Sequence, residues 1–287
     1  MNTYLDSGFY FYCFDEYNFD KNNVKCKEML VDFCKVIEEE SFNWPQLIEK
    51  YKPGAVICAQ WRGVPKSDRE NLEMQESNIQ PFVDLANAAL ASSVQTFICF
   101  GSQAESQKSR QKIAEETCSS GTTAYGRVKA QLYSDLKSIF NESKCRLVWA
   151  RVFSVYGPSD TSDSLLMQLH ESESQAIKLE IENPSTLWSF LYEDDFAAAV
   201  ERILECKDVE GITNIGNPLL VEIQFIVDAW FESPVKPSIG VENDNASEGF
   251  FPELRKLKSI GWTSGVSLEE GIQRTRKAYR ERFNSNY

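Results

Sequence analysis

A chain of 287 residues, 42% hydrophobic and 25% charged, can bury one large core or a core with an appended lobe, and its composition is that of a globular protein. A formal net charge of −13 repels polyanions and argues against nucleic acid as a partner, while no apolar run approaches the roughly 18 residues of a membrane helix. The opening MNTYLDSGFYFYCFDE lacks a basic segment, the eight cysteines form no C-x-x-C pair, and a single His170 argues against a histidine metal site or a Ser-His-Asp triad; the expectation is a cytoplasmic protein with free thiols, no membrane and no metal.

In chain order, the apolar runs FYFYCF (9–14), GAVICA (54–59), TFICFG (96–101) and RLVWARVF (146–153) predict buried strands, with a weaker strand signal near 32–37. Helices are predicted between them at 78–93, where Pro81 suits the first turn, and at 124–140, where Val128, Leu132, Leu136 and Ile139 recur at helical spacing. Continuous apolar strands alternating with helices indicate an α/β fold, a doubly wound parallel sheet covered on both faces. Beyond residue 156 the texture changes. LWSFLY (187–192) and GITNIG (211–216) read as strands among helices at 193–206, 221–231 and 268–283, and no Pro/Gly/Ser linker intervenes. One domain over 1–156 and a smaller lobe over 157–287, with some elements returning to the first, is the expected division.

Tyr125 and Lys129 stand four apart on the helix predicted at 124–140 and share one face. The pairing has a chemical use: a phenol ionises near pH ~10, too high for acid/base work at neutrality, and a nearby ammonium stabilises its phenolate. Spacing alone does not select this pair, because Tyr17/Lys21 and Tyr133/Lys137 repeat it. Context does. The strand TFICFG ends in Gly101-Ser102, and the carboxyl end of a parallel strand is where α/β sheets bind ligands. Ser102 would bond the same substrate oxygen that Tyr125 protonates; the competing reading leaves Tyr125 and Lys129 as decoration on a helix surface.

The strings CAQWRGV (58–64), FGSQAE (100–105), TTAYGRVKAQL (122–132), RVFSVYGP (151–158), LWSFLYEDDFAAAV (187–200), ITNIG (212–216) and LKSIGWTSGVSLEEGI (257–272) occur in order. Together they resemble the NAD(P)-dependent epimerase/dehydratase family, extended short-chain dehydrogenases that modify nucleotide sugars, over about residues 50–280. The resemblance implies a Rossmann-like nucleotide-binding domain followed by a substrate-binding lobe. It further implies NAD or NADP as cofactor, a nucleoside-diphosphate sugar as substrate, and a homodimer through the helices at 78–93 and 124–140. The implied reaction is that of a 4-ketoreductase or epimerase/dehydratase, with hydride transfer at a hexose carbon. By the same resemblance Tyr125 is the acid/base, Lys129 tunes it and binds the nicotinamide ribose, and Ser102 with Gln103 orients the sugar. Ala59, Arg151 and Phe153 border the cofactor. Ser154 borders the sugar diphosphate, at a position where many members carry Asn. Trp61 and Trp188 line a sugar pocket or, alternatively, belong to the core.

A dinucleotide fold is expected to open with a strand, a Gly-x-Gly-x-x-Gly turn and a helix, because backbone amides must approach the pyrophosphate. The first glycines here, Gly8, Gly54 and Gly63, make no such fingerprint. The simplest alignment starts inside the first helix and makes FYFYCFDE the second strand. Asp15 would then close that strand on the adenosine ribose, favouring NAD, or serve only as a turn residue. The sheet would lack its first, central strand. An upstream start, a natural truncation and a non-catalytic nucleotide-sugar-binding protein of the same fold are the alternatives this leaves open.

Overall fold

The computed structural model describes residues 11–14, 34–37, 43–117, 121–160, 163–175, 179–181, 183–231 and 248–284. The chain forms two compact units, residues 1–51 and 52–287. In the first, β1 (Phe11–Phe14) and β2 (Cys34–Ile37) pair in parallel from Phe11 opposite Cys34 to Phe14 opposite Ile37, and α1 (Trp44–Tyr51) follows. Both strands fall where the apolar runs at 9–14 and 32–37 place them.

The second unit opens with β3 (Ala55–Cys58), α2 (Leu72–Glu76), α3 (Ile79–Leu90), β4 (Thr96–Ser102), α4 (Ala124–Ile139) and β5 (Arg146–Val152). It continues through β6 (Val155–Tyr156), α5 (Leu165–Gln175), β7 (Leu187–Trp188), β8 (Leu191–Tyr192), α6 (Glu193–Glu205) and β9 (Gly211–Ile215). It closes with β10 (Val221–Glu222), α7 (Ile223–Trp230), α8 (Arg255–Ser259) and α9 (Leu268–Asn284). Pro81 lies in the first turn of α3, where its missing N–H costs no helical bond.

The main sheet has the order β3-β4-β5-β9, parallel throughout. Its strands are apolar without alternation because helices cover both faces. On one face Phe97 meets Phe140 at the end of α4, with ring centroids 5.1 Å apart, and Trp149 meets Tyr133 at 5.5 Å. On the other, Phe100 meets Phe196 of α6 at 5.3 Å, and Ile98, Val148, Ala150 and Ile215 pack against Ala199, Ile203, Leu257 and Trp262. This is the Rossmann-like doubly wound α/β architecture expected from the sequence. A second core joins Leu166 and Leu169 of α5, Phe225, Ile226 and Trp230 of α7, and Ile272 and Tyr279 of α9.

One predicted strand divides. LWSFLY becomes β7, antiparallel to β10, and β8, parallel to β6. The break falls at Ser189 and Phe190, where Asn217 takes over the pairing: its side-chain amide donates to the Phe190 carbonyl at 2.9 Å, and Ser189 Oγ donates to the Asn217 carbonyl at 3.0 Å.

Candidate active site

The site starts at the end of β4. Ser102 caps a 3-10 turn, Gln103–Glu105, in a reciprocal pair of bonds: Ala104 N donates to Ser102 Oγ at 3.2 Å, and Ser102 N donates to Glu105 Oε1 at 2.6 Å. Glu105, only 1% exposed, also accepts Trp149 Nε1 on both oxygens at 3.0 Å and Arg151 Nε at 3.1 Å. Gly101 is required beside it, since a Cβ there would stand 2.2 Å from Trp149 Nε1. Arg151, buried in turn, also donates to the carbonyls of Ala114 and Thr117. Its guanidinium therefore holds the turn that carries Ser102.

The first turn of α4 comes to this strand end. Three of its amides find partners: Ala124 N on Glu70 Oε2 at 3.2 Å, Tyr125 N on the Arg69 carbonyl at 2.9 Å and Gly126 N on Thr123 Oγ1 at 3.1 Å. Gly126 allows the close approach, because a Cβ there would lie 2.0 Å from the Ala104 carbonyl oxygen. The consequence is that the hydroxyls of Ser102 and Tyr125 come within reach of each other. Burial pushes the Tyr125 phenol above its usual range; the Ser102 hydroxyl and then the Arg69 charge pull it back, and Glu105 adds to the rise.

Lys129, one turn further along α4, is 4% exposed. Its ammonium donates to the Phe100 carbonyl at 2.6 Å and sits 3.8 Å from the centre of the Trp61 ring. Burial lowers it to about 8, opposed chiefly by the charge of Glu105. Trp61 is itself held. Its Nε1 donates to Gln75 Oε1 at 2.8 Å, and its ring meets Phe82 at 5.7 Å and Tyr125 edge-on at 5.9 Å.

From Ser102 the site passes to a cavity. Gln103 Nε2 donates to Ser154 Oγ at 3.1 Å, and Trp188 Nε1 donates to the same oxygen. Ser154 has a φ of 27°, in the left-handed region where glycine and asparagine are most at ease. Ser154 and Trp188 line a cavity of about 830 Å³, together with Lys66, Arg69, Lys108, Asp163, Leu179 and Phe190. Lys108 stands 5.9 Å over the Trp188 ring.

The structure thus brings Ser102, Gln103, Tyr125, Lys129, Trp61, Ser154 and Trp188 into one neighbourhood. Trp61 is placed over Lys129 rather than among the residues lining the cavity. Ala59 is exposed just past β3, Phe153 is fully buried, and Asp15 lies outside the described residues. Sequence reasoning missed Arg69 and Glu105. For Glu105 a signal existed, because Ser102-Gln103-Ala104-Glu105 is a capping-box pattern. No group of three or more His, Cys, Asp or Glu placed to hold a metal occurs among the described residues, and no helix there is long and apolar enough to cross a membrane.

The model of the NAD dependent epimerase/dehydratase family matches residues 5–216. A dTDP-D-glucose 4,6-dehydratase of Mus musculus is 25% identical over 213 residues, 70% of this chain and 60% of that protein. Across the curated relatives matched, the alignments cover 21%, 60% and 50% of their own lengths. Among solved structures, a UDP-glucose 4-epimerase of Thermotoga maritima with UDP-glucose superposes with a TM-score of 0.78 at 19% identity, over 96% of this chain and 92% of that one. A UDP-glucuronic acid 4-epimerase of Bacillus cereus in complex with NAD gives 0.81 at 17% identity, over 97% and 92%.

Proposed function

The chain belongs to the NAD dependent epimerase/dehydratase family, and from that premise we propose that it acts on a nucleoside-diphosphate sugar as a 4-ketoreductase or epimerase, with Tyr125 as acid/base at a sugar oxygen. The observation that carries this reading is the Ser102–Tyr125 hydroxyl pair at the carboxyl end of β4, joined through Gln103 and Ser154 to the wall of an 830 Å³ cavity. UDP-sugars occupy structurally similar proteins, such as the Thermotoga maritima epimerase.

The donor set fits the nicotinamide end of a dinucleotide of the kind held by the Bacillus cereus epimerase. Among the described residues the buried Lys129 ammonium has one hydrogen-bond acceptor, the Phe100 carbonyl, so two of its N–H groups would be left for a ribose diol. Ala59, exposed past β3, would lie beside the ring. NAD rather than NADP is part of the proposal and leans on Asp15. The dinucleotide, when bound, supplies or accepts hydride at a ring carbon. The chain's own work is proton transfer: Tyr125 gives a proton to the sugar oxygen or takes one from it, and Ser102 holds that oxygen in line. Gln103 Oε1, buried without a partner among the described residues, would offer an acceptor to a sugar hydroxyl. Lys66, Arg69 and Lys108 line the cavity alongside Asp160, Asp163 and Glu180, and the three cations are the groups that would pair with a diphosphate. A cytoplasmic homodimer through α3 and α4 belongs to the same reading, and light scattering checks the dimer.

A second reading, a non-catalytic nucleotide-sugar-binding protein, is favoured by one feature: Tyr125 and Lys129 are 8% and 4% exposed beneath Trp61. Nucleotide-sugar turnover with NAD, followed by product chromatography, separates the two. The expected result is turnover by the wild-type chain and a loss of about 100-fold or more in Tyr125→Phe, with sugar-nucleotide affinity nearly unchanged. Sugar-nucleotide binding without turnover by the wild type selects the second reading; a fully active Tyr125→Phe removes the acid/base assignment.

A further inference from the structure

Two thiols lie side by side beneath Lys129. Cys58 is the last residue of β3, and in the β3–β4 ladder it stands directly opposite Cys99. Register partners on neighbouring strands share a face of the sheet, and successive residues alternate between faces. Ile57 and Ile98, one residue earlier on each strand, both pack into the core that holds Ala199 and Ile203 of α6. Cys58 and Cys99 therefore turn to the opposite face, where Phe97 meets Phe140 at the end of α4. There they are 4% and 0% exposed, and their sulfurs come within reach of each other. Lys129 of α4 comes down on the same place. Its ammonium bonds the carbonyl of Phe100, the residue after Cys99, and both sulfurs lie within its electrostatic reach. The proton transfer proposed for Tyr125 uses neither thiol.

We propose that Cys58 and Cys99 form a site for one soft monovalent metal ion, copper(I), held between two thiolates. The strand separation decides against the other use of a thiol pair. Neighbouring strands lie about 4.8 Å apart, whereas the Cβ atoms of a disulfide stand about 3.8 Å apart, so a disulfide would pull β3 onto β4. Two metal–sulfur bonds of about 2.3 Å each bridge sulfurs at the wider spacing with the ladder intact. The number of ligands selects the ion. Zinc fills a tetrahedron, and no group of three or more His, Cys, Asp or Glu placed for a metal occurs among the described residues. Soft thiolates favour copper(I), which two sulfurs in line satisfy. On binding, two S–H protons leave to water, two copper–sulfur bonds form, and no electron is transferred. The resulting complex carries one negative charge, which the buried Lys129 ammonium compensates. The ion has its way in at the end of β3, where Ala59, next to Cys58, is exposed.

The test titrates copper(I) itself, without oxygen, into the reduced full chain in competition with a chromophoric copper(I) chelator. The wild type should hold one equivalent, whose affinity falls about 100-fold or more in Cys58→Ala and in Cys99→Ala but stays in Cys145→Ala and Cys206→Ala. No binding by the wild type, retention in either of the first two variants, or loss in either of the last two overturns the assignment. X-ray absorption at the copper edge of the wild-type complex should show two sulfur neighbours; three or more refute a two-thiolate site. Should an alanine variant fail to fold, Lys129→Leu decides with both ligands in place. Loss of the compensating charge should weaken binding about tenfold or more, and unchanged affinity removes the ion from this position. Copper(I) uptake is read without sugar nucleotide or dinucleotide, so its outcome is independent of the Tyr125→Phe assay.

Discussion

Replacing Glu105 with Gln removes one member of a buried ion pair and leaves the other behind. The side chains of Glu105 and Arg151 are each 2% exposed and meet at 3.1 Å. Glu105 also receives Ser102 N at 2.6 Å and Trp149 Nε1 at 3.0 Å, so its two oxygens serve at least three donors, from Ser102, Trp149 and Arg151. An amide of the same shape presents one oxygen and one NH2 group, so at least one donor meets another donor and the Arg151 charge stands uncompensated. Breaking a buried pair in this way costs about 3–5 kcal/mol, a large part of a total stability of about 5–15 kcal/mol. Urea unfolding of Glu105→Gln should show that loss as a lower midpoint at unchanged slope. The double variant Glu105→Gln/Arg151→Met should lose less than the sum of the single losses, by about 1–3 kcal/mol, because the stranded charge is gone. A single-variant loss under about 1 kcal/mol, or strict additivity, refutes the account of this pair as the support of Ser102.

Gly126→Ala places a methyl 2.0 Å from a backbone oxygen, the Ala104 carbonyl, which no rotamer change relieves. It should destabilise by about 1–3 kcal/mol in chemical unfolding and part Tyr125 from Ser102, so that any turnover falls further than stability does; a variant of wild-type stability would show that α4 does not rest on the turn. At the far lobe, Glu173 accepts Arg276 and Arg280, each at 2.6 Å, and is lowered from 4.5 to about 2, chiefly by the Arg276 bond. The folded carboxyl binds its proton less readily than the unfolded one, so this stabilisation is present above pH 4.5 and is lost as pH falls toward 2. For a carboxylate one quarter exposed the contribution is about 2 kcal/mol after screening, and unfolding at pH 6 and pH 3 should show Glu173→Gln costing that much at about pH 6 and much less at about pH 3.

The fold was legible because parallel strands covered on both faces must be apolar at successive positions. TFICFG and RLVWARVF carry that pattern, and β4 and β5 lie on them. The helix at 124–140 was legible from the spacing of Val128, Leu132 and Leu136, which line its buried face. LWSFLY misled because a single apolar run does not reveal that Asn217, on a distant segment, captures the Phe190 carbonyl and splits the run between two pairings. Arg69 was illegible for a related reason. VPKSDREN reads as a polar loop, and no local spacing connects it with Tyr125; the connection is a main-chain bond across 56 residues of chain, from Tyr125 N to the Arg69 carbonyl. Arg151 was expected, by resemblance, to border the cofactor, and the structure instead buries it against a carboxylate. The partner, Glu105, was hidden in a motif prized for its serine.

The register of the sheet and the placement of the hydroxyl are one problem. In the β4–β5 ladder Gly101 stands opposite Arg151 and Ser102 opposite Val152. Trp149 and Arg151 point to the face where Glu105 lies, whereas Val148 and Ala150 point to the core shared with Leu191 and Ala199. A slip of β5 by one residue would turn Arg151 into that apolar core and bring an aliphatic side chain to Glu105, stranding two charges at once. Apolar residues on both faces would tolerate such a slip far better, since β5 is hydrophobic on either side. The ion pair therefore forbids the one error that the hydrophobic pattern permits. By fixing β5 against β4 it also fixes the turn that begins at Ser102, and with it the serine on which the phenol of Tyr125 rests.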